Sequence, residues 1–142
     1  MTLNQVTKTI KDYAEAHNQI HHYHFGDVWE FVSHVETIKH ASICCELTGG
    51  LVSNGQALLN FSLYFMDWVS ADESNETEVL SDMLLVAGDM FALLNGGEND
   101  WSVSQNNPIN FFTESTPDIL AGCKMDISIV IDFELDRCAV PD

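Results

Sequence analysis

Basic residues are scarce in this chain of 142 residues. It has five lysines and arginines against 22 aspartates and glutamates, which gives a formal charge of −17. Such an excess of carboxylates repels the phosphates of nucleic acids and of anionic membrane surfaces. We therefore expect no direct binding to either, and no phosphate chemistry. Because 46% of the residues are hydrophobic and the acids are scattered among regular apolar patterns, the chain is a folded acidic protein and not a disordered tail.

Long apolar runs and paired cysteine motifs are also missing. No segment approaches the roughly eighteen apolar residues that a membrane span requires, and residues 1–20 lack an apolar core followed by a cleavage site. We expect a cytosolic or packaged protein with no membrane partner. The cysteines have no CxxC spacing, which favours buried or half-buried thiols over a zinc site or a disulfide framework. They are Cys44, Cys45, Cys123 and Cys138.

Catalytic and metal-binding motifs do not occur either. There is no HExxH, no Gly-rich phosphate loop and no Gly-x-Ser-x-Gly elbow. His17 and His21 have helical i, i+4 spacing, but the first helix is expected to end near Asn18, which breaks that geometry. The acidic loop 72–76 lacks the spacing of acidic residues found in calcium-binding loops. It is therefore interpreted as a solvated turn whose acidic groups interact favourably with the positive end of the helix dipole. We predict no catalytic residues, no metal and no cofactor, with the histidines exposed or at interfaces.

The most informative stretch runs from Leu58 to Asn95. Phe61, Leu63 and Phe65 alternate with polar neighbours, which predicts a sheet strand. A long apolar helix follows, with Asn75 as its N-cap in a variant capping box and its end at residues 95–97. Apolar side chains fill most of its circumference. It is therefore either a core helix enclosed by sheet and loops, or a helix partly buried by a neighbouring subunit.

The remaining patterns predict a first helix from Leu3 to Asn18 and strands over 28–32 and 41–47. Asn54-Gly55 is the strongest turn signal, and it predicts one long hairpin formed by outer strands. Gly49-Gly50 suggests a bulge in its first arm. The hairpin is therefore either a projecting contact device or an ordinary edge hairpin with a twist defect.

The last part of the chain contains the clearest strand. Short strands are expected over 101–104 and 109–113. Alternation from Met125 to Phe133 then predicts a central strand packed on the apolar helix. We predict an α+β fold: a mostly antiparallel sheet with an N-terminal helix and one long central helix packed on it. Residues 1–134 form a single domain, and residues 135–142 form a C-terminal arm.

Three segments carry a resemblance to a known family. They are GDVWEF at 26–31, FMDWVSADESNETEVLSD at 65–82 and FFTESTPDILAGCKMDISIVIDF at 111–133. Together they resemble small structural proteins of tailed bacteriophages of Bacteroidota, as in crAss-like and related phages. The resemblance covers nearly the whole chain. The His-rich segment 17–24 and the tandem Cys44-Cys45 depart from the family pattern.

This resemblance implies a tail-terminator, tail-completion or head-to-tail connector protein, which forms rings and has no catalytic residues. It implies a tail-terminator-like fold, assembly in the bacterial host cytoplasm and a place in the virion, at the tail or head-tail junction. Expected partners are copies of the chain in a ring and other head-tail or tail-tube proteins, with DNA passing nearby without specific binding. The acidic charge would repel DNA in the lumen, or else keep the subunit soluble before assembly.

Exposure then suggests the contact residues: the hairpin tip, the acidic loop and the C-terminal arm. They are Ser53, Asn54, Gly55, Asp72, Glu73, Ser74, Asn75, Arg137, Val140 and Pro141. Two alternatives stay open at this point. One is an acidic DNA-mimic inhibitor, and the other is a metal-dependent hydrolase that uses the histidine cluster from His17 to His40.

Overall fold

A computed structural model describes residues 2–26, 41–69, 75–96, 101–113 and 120–132. This part of the chain forms two helices and six strands. The helices are α1 (Leu3–Ala16) and α2 (Glu76–Leu94). The strands are β1 (His22–Phe25), β2 (Ser42–Ser53), β3 (Gln56–Trp68), β4 (Trp101–Val103), β5 (Ile109–Thr113) and β6 (Leu120–Asp132).

The strands form one sheet in the order β1-β2-β3-β6-β4, and β5 also pairs with β6. Only the β1–β2 pairing is parallel, so the predicted α+β class with a mostly antiparallel sheet is confirmed. β4 lies opposite residues 129–131 of β6 and β5 lies opposite residues 121–125. The two short strands therefore share one edge of the sheet.

The β2–β3 hairpin closes with a two-residue turn at Asn54-Gly55, between paired Ser53 and Gln56. Gly55 has a φ of +83°, a conformation that glycine adopts without strain. The register shifts between Leu47 and Gly49, which confirms the predicted bulge. The prediction that both arms are outer strands is wrong, because β3 also pairs with β6 from Gln56 to Trp68.

The core lies between the helices and one face of the sheet. α1 contributes Val6, Ile10 and Ala14, which recur at helical spacing on one face. Odd-numbered residues of β3 and β6 point to this side, because successive strand residues alternate between faces. The Cys123 thiol on β6 donates a hydrogen bond to the Met83 carbonyl on α2 across 3.6 Å. The buried residues of β3, β6 and α2 in this core include Phe61, Leu63, Phe65, Cys123, Met125, Ile127, Ile129, Val79, Met83, Val86 and Met90.

The ends of the helices differ from expectation in two respects. α1 stops at Ala16 because His17 adopts an extended conformation, with φ −75° and ψ 124°. Asn75 occupies the N-cap position of α2 but makes no side-chain capping hydrogen bond, so the predicted capping box is wrong. A complete capping box occurs instead on α1. There the Gln5 N–H donates to Thr2 Oγ1 and the Thr2 N–H donates to Gln5 Oε1.

Strand boundaries agree with the sequence patterns unevenly. β1 has no counterpart among the predicted strands, and the strand expected over residues 28–32 lies outside the described residues. The strand expected over 109–113 is confirmed as β5. The alternation over 125–133 captures only the second half of the central strand β6, which begins at Leu120.

Candidate contact surface

The hairpin tip brings together three of the predicted contact residues. Ser53, Asn54 and Gly55 are all exposed. Gln56 at the base of this turn pairs with Asp132, so β6 accompanies β3 to the end of the hairpin. The hairpin therefore does not extend beyond the sheet, which favours the alternative of an ordinary hairpin with a twist defect, although only its β2 arm lies toward an edge.

The other predicted contact residues are dispersed or undescribed. Asn75 stands at the start of α2 and is half-buried. Six more lie outside the described residues, so nothing is assigned to them structurally. They are Asp72, Glu73, Ser74, Arg137, Val140 and Pro141.

The outer arm of the hairpin carries an apolar surface that the sequence reasoning missed. Leu51 and Val52 are 63% and 62% exposed, and Leu47 is 37% exposed. β1 pairs only with residues 42–45 of β2. In the described part of the chain no strand pairs with residues 47–53 on the side away from β3. Unpaired backbone groups along such an edge are a template for strand addition.

The outer face of α2 is a second apolar surface. Leu85 is 65% exposed, and Leu84 and Leu93 are exposed by 41% and 43%. The alternative in which sheet and loops enclose this helix is therefore wrong. Gly88 lies on the same outward side, and a Cβ built on it would meet no heavy atom within 4 Å. The outer face consequently offers leucines around a site with no side chain, which permits close approach of another surface.

His17 joins the end of α1 to α2. Its Nε2 lies 2.9 Å from Asp89 Oδ2, and its Nδ1 accepts a hydrogen bond from the Gln19 N–H at 3.2 Å. Since Nδ1 is an acceptor in this arrangement, the neutral ring carries its proton on Nε2 and donates it to Asp89. Both ring nitrogens are engaged. Among the described residues that line the adjacent cleft of about 630 Å³, which include Tyr13 and Leu93, His17 is the one histidine, and both of its ring nitrogens already have partners.

The other described histidines do not join His17 in a ligand set. His22 and His24 are two residues apart on β1. Burial, with a smaller effect of nearby His24, lowers the pKa of His22. Within the described ranges, no three histidine, cysteine or acidic side chains are placed to hold a metal ion. His34 and His40 lie outside those ranges.

A polar row crosses the face of the sheet opposite the helices. The buried Ser62 hydroxyl donates to Asp126 Oδ1 at 2.7 Å, and the Ser128 hydroxyl donates to Asn60 Oδ1 at 2.7 Å. Lys124 Nζ lies 3.7 Å from Asp126 Oδ1. These bonds satisfy the side chains locally and fix the β3–β6 register on this face. The alternation of polar residues at 60, 62, 126 and 128 is visible in the sequence. Which of these side chains bond to each other depends on the register of β3 and β6, which only the structure shows.

The three described cysteines are buried, as predicted, and Cys138 lies outside the described residues. Burial raises the pKa of Cys45 to about 12, although contact with the Tyr23 hydroxyl acts in the opposite direction. Burial also raises the pKa of Cys123 to about 11. Both groups are therefore thiols at neutral pH, and the thiolate is the nucleophile and metal ligand. Their role is packing.

Comparison with known proteins adds no relative to this description. No family model matches the chain, and no curated protein matches it. Neither described helix has the length and apolar character needed to cross a membrane.

Proposed function

We propose that this chain is a non-enzymatic structural protein of a tailed phage virion. In this proposal it forms a ring at the head-tail junction or the tail end, as a terminator or connector. The phage assignment is supported by the resemblance of the segments at 26–31, 65–82 and 111–133. The finer tail-terminator-like arrangement of the two helices on the sheet belongs to the same proposal.

The observation that carries the assembly role is the exposed apolar surface of α2. Leu84, Leu85 and Leu93 keep large side chains in water on a helix whose opposite face is already buried in the core. Several large apolar side chains left in water on the outer side of one helix favour a protein contact. Its burial by a neighbouring protein would remove leucine side chains from water, at about 25 cal/mol per Å² of apolar area.

The charge gives the ring a physical use. Each subunit has a formal charge of −17, so an assembled ring presents many carboxylates. Those near its lumen repel passing DNA phosphates. The same charge makes subunits repel one another, so their contacts must be apolar or hydrogen-bonded and should strengthen as salt screens the repulsion.

Light scattering after size exclusion, across a salt series and with direct imaging of the particles, tests the proposal. Closed rings of one size are expected, with more assembly at higher salt. Leu85→Glu should shift the population toward smaller species, while Leu3→Glu, at a 37% exposed leucine on α1, should not. A monomer at every salt and protein concentration contradicts ring formation. A tight one-to-one complex with a basic protein would instead indicate the DNA-mimic alternative.

A further inference from the structure

In the described part of the chain, two open stretches of the sheet edge fall within the two longest segments that contain no lysine, arginine, aspartate or glutamate. One segment is 47–66, which contains the part of β2 that no described strand pairs on its outer side, and the other is 101–113, which contains β4 and β5. In a chain with 22 acidic residues, these edges are where another copy can approach without placing carboxylates against carboxylates.

Both edges also expose apolar side chains on the same face. Val52 pairs with Ala57 and Phe111 pairs with Cys123, so both lie on the helix-bearing face, because directly opposite residues share a face. Phe111 is 53% exposed and Val52 is 62% exposed. Among the described residues, β5 pairs only with β6 and has no strand on its outer side.

We propose that β5 of one copy adds to the outer edge of β2, at residues 47–53, in a second copy. The interface is therefore head-to-tail: each subunit uses β2 toward one neighbour and β5 toward the other. β2, β3, β6 and β5 are successively antiparallel, so β5 runs opposite to β2 and joins it in the same antiparallel sense. A different protein that binds so acidic a chain would be expected to place basic side chains against its carboxylates. These two edge segments contain no carboxylates, so a second copy of the chain is the better partner.

The register gives the displacement between neighbours. Phe111 is level with Cys123, Phe65 and Ile43, whereas the free segment of β2 is centred near Gly50. Allowing for the bulge, β5 must move about six residues along the strand direction, or about 20 Å. The repeating unit of four strands is about 19 Å wide. The resulting tilt of about 45° is close to the roughly 35 to 45° typical of closed sheets.

This inference deepens the proposed ring and rests on it only for closure. A head-to-tail interface generates a ring when its rotation closes and an open filament when it does not. The competing geometry is a two-fold pairing of β2 with β2. It uses one edge only, so it leaves β5 without a role.

Complementation of two edge variants separates these geometries. Leu51→Glu blocks the β2 edge and Phe111→Glu blocks the β5 edge, because a charge on an edge strand opposes strand addition. At a concentration where each variant alone is monomeric, mixing them should double the mass from 15.9 kDa, since one intact β2 edge meets one intact β5 edge. Leu3→Glu should assemble like the wild type. Circular dichroism and thermal unfolding check that the variants fold, which their exposure favours.

Three results would overturn the inference: a mixture that stays monomeric, a Phe111→Glu variant that associates with itself as the wild type does, or edge variants that keep the wild-type mass. If the wild type forms rings and the edge variants keep the wild-type mass, the edge contact is refuted and the proposed ring still stands. Conversely, a doubled mass in the mixture together with open filaments of the wild type supports the edge contact and refutes the closed ring.

Discussion

Gly122→Ala should destabilise the fold more than any ordinary glycine substitution, because the backbone of the paired strand β3 lies very close to this residue. A Cβ built on Gly122 would overlap the Phe65 carbonyl oxygen and would lie 2.9 Å from the Met66 Cα. Real Cβ atoms essentially never approach within 3.0 Å of a heavy atom, so these backbones must separate by about 1 Å. Gly122 pairs with Met66 inside the long β3–β6 ladder, and neither strand can move alone.

The expected cost combines two effects. Overpacking in a rigid core costs about 1–3 kcal/mol, and loosening one or two ladder hydrogen bonds costs about 1 kcal/mol each. A loss of about 4 kcal/mol is a large part of the roughly 5–15 kcal/mol typical of a domain. It corresponds to a fall of roughly 8–16 °C in Tm, or about 2 M in the urea midpoint at a slope near 2 kcal/mol per M.

Urea unfolding of the wild type, Gly122→Ala and two matched glycine variants tests this reasoning. Gly49→Ala and Gly88→Ala each place a Cβ where no heavy atom lies within 4 Å. We expect the strand control to stay within about 1 kcal/mol of the wild type. The helix control should gain about 0.5–1 kcal/mol, because alanine costs less conformational entropy than glycine. A Gly122→Ala midpoint close to that of the wild type would refute the close approach of β3.

Two further perturbations follow from the ends of the first elements. Thr2→Ala removes the capping box of α1 and should lower the free energy of unfolding, measured by urea titration, by about 1 kcal/mol. The control Thr7→Ala should lower it less. Equal effects of the two substitutions would contradict a capping role for Thr2. Because burial lowers the pKa of His22, the folded protein favours the neutral form of this ring. The stability that the folded state has with a neutral His22 is present above the unfolded pKa near 6.5, and it is lost as the pH falls below that value. His22→Gln should therefore flatten the decrease in stability below pH 6.5, and an unchanged slope in unfolding curves across that range would show that His22 does not contribute.

Local chemistry accounts for the parts of the fold that were predicted correctly. The Asn54-Gly55 turn, the bulge before it and the end of α2 depend on residues adjacent in sequence, so turn and cap preferences determine them. The alternation of β3 and of residues 125–132 follows from a sheet with one face on the core. The hairpin tip was likewise predicted as exposed from its residues alone.

The contact surface was predicted only in part, because exposure depends on which element covers which. Sequence shows that α2 is apolar around most of its circumference. Only its packing on β3 and β6 decides that Met83 is buried while Leu85 is exposed. That no described strand covers the outer side of β2 beyond Cys45 could not be anticipated, since it depends on how far β1 extends along that strand.

By itself, the sequence determined the charge, the absence of recognisable catalytic motifs, the two helices and the alternating strands. Those properties depend on composition and on near neighbours along the chain. Tertiary structure decided the strand order, the His17–Asp89 contact across 72 residues, the Ser62–Asp126 pair and the close approach of β3 to Gly122. Each of these depends on residues far apart in sequence, and only the pairing of the strands and the packing of the helices bring them together.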